Sequence, residues 1–168
     1  LVLSNSLLWM YFFWEVTSVC SFLLIGYTKT DEAVNNCFKA LWMNLLGGLG
    51  MTGGIVILGI SHGITDLQGL LEANKGLIVL PVIFLSFGAL TKSAQLPFSK
   101  WLLGAMVAPT PSSALLHSAT MVKAGVYLLM RIAPVMSGEF SGYMVGLIGG
   151  LTFLAMSMLA ITAYDGKK

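Results

Sequence analysis

The chain has 168 residues, 57% of them hydrophobic and 10% charged, and its formal net charge is +2. A soluble domain runs roughly 45–50% apolar and about 25% charged. The composition therefore excludes a soluble globular enzyme and a disordered chain, and fits an integral membrane protein.

Five apolar stretches are each about long enough to cross a hydrocarbon core of roughly 30 Å, which takes about 20 helical residues. The first covers residues 6–27 and is interrupted by Glu15. The second, residues 40–60, carries no charge. The third, residues 76–94, holds Lys92 near its end, and apolar sequence runs on to Met106. The fourth, residues 111–130, contains His117 and Lys123, and the fifth, residues 143–163, is uncharged. Within lipid every backbone polar group must be paired inside the segment, so these are expected to be α-helices; the alternating strands of a barrel are not seen. The expectation is an all-α membrane protein of about five transmembrane helices, forming a single membrane domain over residues 1–168. Glycines recur in the second and fifth spans (Gly47, Gly48, Gly50, Gly53 and Gly54; Gly146, Gly149 and Gly150), as close helix packing in membranes requires.

The loops are short and carry most of the remaining charge. By alternation Lys29, Lys39, Lys100, Lys167 and Lys168 fall on one side, Lys75 and Arg131 on the other. The positive-inside rule places the first side in the cytoplasm or its organellar equivalent. The third region is not expected to be one clean helix. Pro97 follows Lys92 by five residues, and Ala108-Pro109-Thr110-Pro111 ends the segment. A proline inside a helix removes a hydrogen bond and clashes with the preceding turn. The spacing predicts a broken helix around Ser93 and Pro97, with freed carbonyls near Ser93 suited to a cation or water, and a short second half through Trp101 to Met106.

Three full charges fall inside apolar spans: Glu15, Lys92 and Lys123. Each costs about 2.5–3.5 kcal/mol at the bilayer centre on insertion scales. They are expected to face a protein or water-filled interior, with Glu15 and Lys92 approaching one another. If the distance between those two changes, the proton affinity of Lys92 changes with it. His117 titrates near neutral pH when unperturbed and suits a proton relay. On a regular helix it points about 120° away from Lys123, so the two can serve different neighbours. Ser93, Ser112, Ser113, Ser118 and Thr120 are candidates to hold water between these groups. His62 is expected to be exposed, in a loop over residues 62–75.

No catalytic constellation is present: no P-loop, no GxGxxG after a strand, no HExxH and no nucleophile elbow. Cys20 and Cys37 lack metal-ligand spacing and are expected to be inert. No cofactor, no metal and no nucleic-acid partner is expected.

Longer motifs carry a family resemblance. Ala89-Leu-Thr-Lys-Ser-Ala-Gln-Leu-Pro-Phe98, then Trp101, then Ala105-Met-Val-Ala-Pro-Thr-Pro111, then Ala114-Leu-Leu-His-Ser-Ala-Thr-Met-Val-Lys-Ala-Gly-Val-Tyr-Leu-Leu129 and Arg131 resemble the signature of the antiporter-like subunits. These occur in respiratory complex I, Mrp-type sodium/proton antiporters and membrane-bound hydrogenases. Trp14-Glu15 followed by Cys20-Ser-Phe-Leu-Leu-Ile-Gly26 resembles the family's glutamate helix. The resemblance implies that Glu15 pairs with Lys92 on a broken helix, and that His117 and Lys123 continue the proton path. It implies family helices 5 to 9 here, with residues 1–5 the tail of helix 4, and so a piece of a longer subunit. Thr17-Ser18, Lys123 beside His117, and Gly47-Gly48 are most similar to the A-type subunits of Mrp antiporters. Leu45 and Gly48 stand where the largest antiporter-like subunit of complex I usually has Arg and Asp, a departure from that second type.

The implied partners are other membrane subunits of an antiporter or complex I-like assembly, protons, sodium in the antiporters, and the lipid bilayer. The implied setting is a bacterial or archaeal cell membrane, or the inner mitochondrial membrane. The chain itself would break no bonds, although the assembly could be an NADH:quinone oxidoreductase or a hydrogenase. Against this ion-translocating reading stands a non-transporting membrane scaffold whose buried charges only fasten helices. A complete small channel is disfavoured.

Overall fold

The computed structural model describes residues 1–163, apart from the side chain of Ala119. Lys167 and Lys168, two of the charges used to orient the chain, lie outside the described residues. The described residues form helices α1 Leu7–Ile25, α2 Asp31–His62, α3 Leu67–Glu72, α4 Val79–Lys92, α5 Lys100–Gly104, α6 Thr110–Ala114, α7 Met121–Met136 and α8 Phe140–Thr162. A π-helical segment, Leu115–Thr120, joins α6 to α7. Four helical stretches are long and apolar enough to cross a membrane, namely Leu7–Thr28, Asp31–His62, Thr110–Met136 and Phe140–Thr162, with α4 a shorter apolar helix. Four of the five expected spans are therefore long enough to cross a membrane, and the broken third region is present as the shorter helix α4, which ends at Lys92.

Local chemistry explains where these helices begin and end. Thr30 caps α2 by accepting the amide of Ala33 at 3.2 Å. Asp31 and Glu32 complement the positive helix start. This cap starts α2 nine residues before the apolar stretch. Gly63, at φ 64°, ends it. His62 is thus the last residue of α2, which corrects its expected place in a loop. The loop beyond is also more structured than expected. Asp66 caps the short helix α3, accepting the amide of Gly69 at 3.2 Å, and α3 buries Leu67 and Leu70.

α2 is the central helix, packed on α1 and on α4; α4 in turn packs on α7. Lipid offers apolar side chains no driving force to leave it, so the interface is set by close approach. A Cβ on Gly88 would lie 2.9 Å from the carbonyl oxygen of Gly47 and 3.1 Å from Cβ of Met51. On α7, a Cβ on Gly125 would strike the carbonyl of Ala89 and the amide of Ser93, where α4 ends. α8 shows the inverse of a soluble helix. Its buried residues are Ser141 and Thr152, while Leu147, Phe153 and Ile161 are exposed.

The α2–α4 packing gives a contrast between two glycines. Gly88→Leu should destabilise the protein by at least the ~1–3 kcal/mol typical of overpacking. Gly149→Leu should change little, because nothing among the described residues lies within 4 Å of its Cβ position. Thermal unfolding in detergent, followed by size-exclusion chromatography, checks both. Equal loss in the two variants would refute the packing account.

Candidate proton-transfer site

The end of α4 is built by its own sequence. The amide of Gln95 donates to the carbonyl of Leu90 at 3.0 Å, and that of Ala94 to Thr91 at 3.2 Å. This six-to-one plus five-to-two pattern is a Schellman motif, with Ala94 in the left-handed position at φ 54° where glycine is usual. An L-residue there costs roughly 1–2 kcal/mol. The indole nitrogen of Trp101 adds a second donor to the Thr91 carbonyl, at 3.0 Å. The Ser93 amide and hydroxyl both donate to Ala89, at 2.9 and 2.8 Å. The carbonyls of Ala89, Leu90 and Thr91 are thus served by protein donors, which corrects the expectation that they stand open to a cation or water. Beyond the break, the Leu96–Pro97 bond is cis, and the Leu96 amide donates to the Thr152 hydroxyl of α8 at 3.0 Å.

Lys92 is the last residue of α4 and is wholly buried. The negative end of the helix dipole favours a cation there. Its ammonium donates to the Trp14 carbonyl at 2.8 Å and to the Ser18 hydroxyl at 2.7 Å, both on α1. It also lies 5.0 Å from the centre of the Trp14 ring, within cation–π range. The Ser18 hydroxyl in turn donates to the Trp14 carbonyl at 3.3 Å, as Thr17 does at 2.7 Å.

Glu15 follows Trp14 and is half-buried. Its carboxylate and the Lys92 ammonium act on one another electrostatically, with Ser18 in reach of both. Its Oε1 is buried without a hydrogen-bond partner among the described residues. That atom occupies the space left by Gly48 of α2, where any Cβ would collide with it. The structure thus brings Glu15 and Lys92 together across α1 and α4, through Ser18 and the Trp14 carbonyl.

His117 and Lys123 lie farther along the chain. His117 is in the π-helical segment, with both ring nitrogens buried. The π turn changes the angle to Lys123 from that of a regular helix. Lys123 is exposed at the edge of a cleft with Thr17 of α1, Thr120 and Tyr127, which corrects the expectation that it faces the interior. Thr17 lines this cleft, and its neighbour Ser18 holds Lys92, while α4 and α7, which carry the two lysines, pack directly on one another. The hydroxyls of Ser93, Ser118 and Thr120 bond carbonyls of their own helices, those of Ala89, Ala114 and Leu115. Cys20 and Cys37 are both free thiols.

Sequence reasoning missed several supports of this site: Ser18 as the partner of Lys92, Gly48 as the slot for Glu15, Trp101 as a helix cap, and Thr152 as an anchor. Ser18 had a usable signal, since it lies three residues after Glu15 and so shares its helix face. Gly48 stood out as a packing glycine and as a point of family resemblance, with nothing in either to show that it makes room for a carboxylate.

Residues 4–168 match the family described as NADH:quinone oxidoreductase/Mrp antiporter, TM. Among curated proteins, the chain is 42% identical over 173 residues to the Na(+)/H(+) antiporter A1 subunit of Staphylococcus epidermidis, covering 99% of this chain. It is 45% identical over 175 residues to the protein of the same name from Staphylococcus saprophyticus, and 42% identical over 174 residues to "Putative antiporter subunit mnhA2" of Staphylococcus aureus. The chain spans 22% of the length of these relatives. Apolar helices and bacterial relatives make it an integral protein of a bacterial membrane. The chain belongs to the transmembrane NADH:quinone oxidoreductase/Mrp antiporter family.

Proposed function

We propose that this chain forms part of a proton path in a multisubunit sodium/proton antiporter of the Mrp type. Lys92 takes up and releases the proton, and Glu15 sets its affinity by distance. His117 and Lys123 are the next groups along the path. One observation carries the reading: a wholly buried ammonium at the cut end of α4, held by uncharged oxygens beside a carboxylate with an unmet acceptor. A charge so placed is costly in a membrane and marks a functional position. The names of the relatives support sodium as the exchanged cation and other subunits as partners.

A second reading has its own observation. The two hydrogen bonds of Lys92 fasten α4 to α1, as a purely structural lysine would. Lys92→Met in the intact protein, expressed with its partner subunits, separates the two. Met keeps the length and apolar packing but removes the titratable group. Sodium-driven proton exchange in everted vesicles should fall by about tenfold or more, with the complex still assembled on native gels. Glu15→Gln combined with Lys92→Met removes the charge imbalance as well. Near-normal exchange by that assembled double variant would establish the scaffold reading.

Gly48 gives an independent check on Glu15. Gly48→Ala forces the carboxylate out of its slot without touching a charge. Exchange should drop severalfold while assembly persists; unchanged exchange would show that the position of Glu15 is immaterial.

A further inference from the structure

Asn44 of α2 is a buried polar residue with no part in the site described above. It is 1% exposed. Its amide nitrogen donates to the carbonyl of Ala40 at 2.8 Å, while its Oδ1 is buried without a hydrogen-bond partner among the described residues. An acceptor left in that state is a standing penalty, and leucine at the same position would avoid it. Packing alone does not account for an asparagine there.

The helix register shows what lies at its level. Gly47 of α2 meets Thr91 of α4, Gly50 meets Phe87, and Gly54 meets Pro81. α2 and α4 are therefore antiparallel, and Asn44, one turn before Gly47, is level with the residues that follow Lys92. On the other side Gly48 meets Glu15 and Cys37 meets Gly26 of α1. Asn44 is then level with the turn of α1 containing Ser18. It also shares the buried face of Gly47, Gly48 and Met51. Ser18 is one of the two acceptors that hold the Lys92 ammonium, and the end of α4 carries its backbone.

The donor count completes the match. An ammonium has three N–H groups, and Lys92 uses two of them, on Trp14 and Ser18. We propose that Asn44 is a positioning residue for Lys92: its Oδ1 receives an N–H of the ammonium, directly or through one water, when the lysine swings away from Ser18. Lys92 then has two resting places inside the bundle, one beside Glu15 and one on α2 toward the break. Asn44 carries no proton itself. It keeps the displaced ammonium from standing unpaired in an apolar interior, and so lowers the barrier to its movement.

The inference rests on the proton-transfer role of Lys92 and is tested beside it. Asn44→Leu, Asn44→Ala and Asn44→Thr are made in the intact protein with its partners, with Lys92→Met as control. Thermal stability and vesicle exchange are both measured. Asn44→Leu should assemble with stability equal to or above that of the parent, because it removes an unpaired acceptor. Its exchange rate should nonetheless fall about tenfold, and Asn44→Thr, which restores an acceptor oxygen, should recover about half of the loss. Full exchange by assembled Asn44→Leu overturns the inference, and so does a loss that Asn44→Thr fails to recover. If neither the Leu nor the Ala variant assembles, the residue is needed for packing and the inference also falls. Normal exchange by Lys92→Met would instead sink the underlying reading, a result distinct from any of these.

Discussion

The structure depends on one buried ammonium. Lys92 occupies the last helical position of α4, and that placement determines what surrounds it. A lysine in mid-helix would face its own satisfied backbone; at the end it gains the negative pole of the helix. The helix must then stop inside the protein, and its last carbonyls need donors. Ser93, Ala94, Gln95 and Trp101 supply them. α1 must approach closely enough to offer a carbonyl and a hydroxyl. Such an approach needs small residues on α2, where Gly47 makes room for Thr91 and Gly48 for Glu15.

The membrane explains why so few polar atoms matter so much. In a soluble domain, apolar burial would hold this bundle together and the polar centre would be incidental. Lipid removes that driving force, leaving backbone approach and interhelical hydrogen bonds to define the packing. α8 shows the result: its few buried residues include the threonine that holds Leu96, and its large apolar side chains face outward. The polar contacts around the break therefore have two roles, organising the bundle and enclosing the charge.

The parts legible in the sequence were those with a length or a composition. Four of the five apolar runs became long spans and the third became the shorter α4. Pro97 marked the break, although α4 already ends at the Ala94 turn and Pro134 sits inside α7 without ending it. Glu15 and Lys92 stood out because charge in an apolar run is rare. What escaped was the geometry set by neighbours. Ala94 in a left-handed turn is chemically ordinary, and only its fixed partners in α4 explain it. The π turn at His117 leaves no mark in a pattern of Leu, Ser, Ala and Thr. The α2 start was misplaced because Thr30, Asp31 and Glu32 look like a loop until the cap is recognised. The freed carbonyls at the break were real as a count, but the tryptophan that serves one of them lies ten residues away from it.

The same end-of-helix placement suits a moving charge. The backbone of Lys92 is fixed by the Schellman turn and by Trp101, so only its four-carbon side chain has to move. At an effective dielectric of about 20, drawing two unit charges from about 4 Å to about 8 Å apart changes their interaction by about 2 kcal/mol. That corresponds to about a thirtyfold bias in proton occupancy. Large helix motions are not needed to obtain it; a rotamer change between two sets of acceptors suffices, provided each set satisfies the ammonium. On the proposed reading, a rigid helix stub bearing the cation, with the carboxylate held in a glycine slot, is a geometry in which a few ångströms of side-chain travel would decide whether a proton is held or passed on.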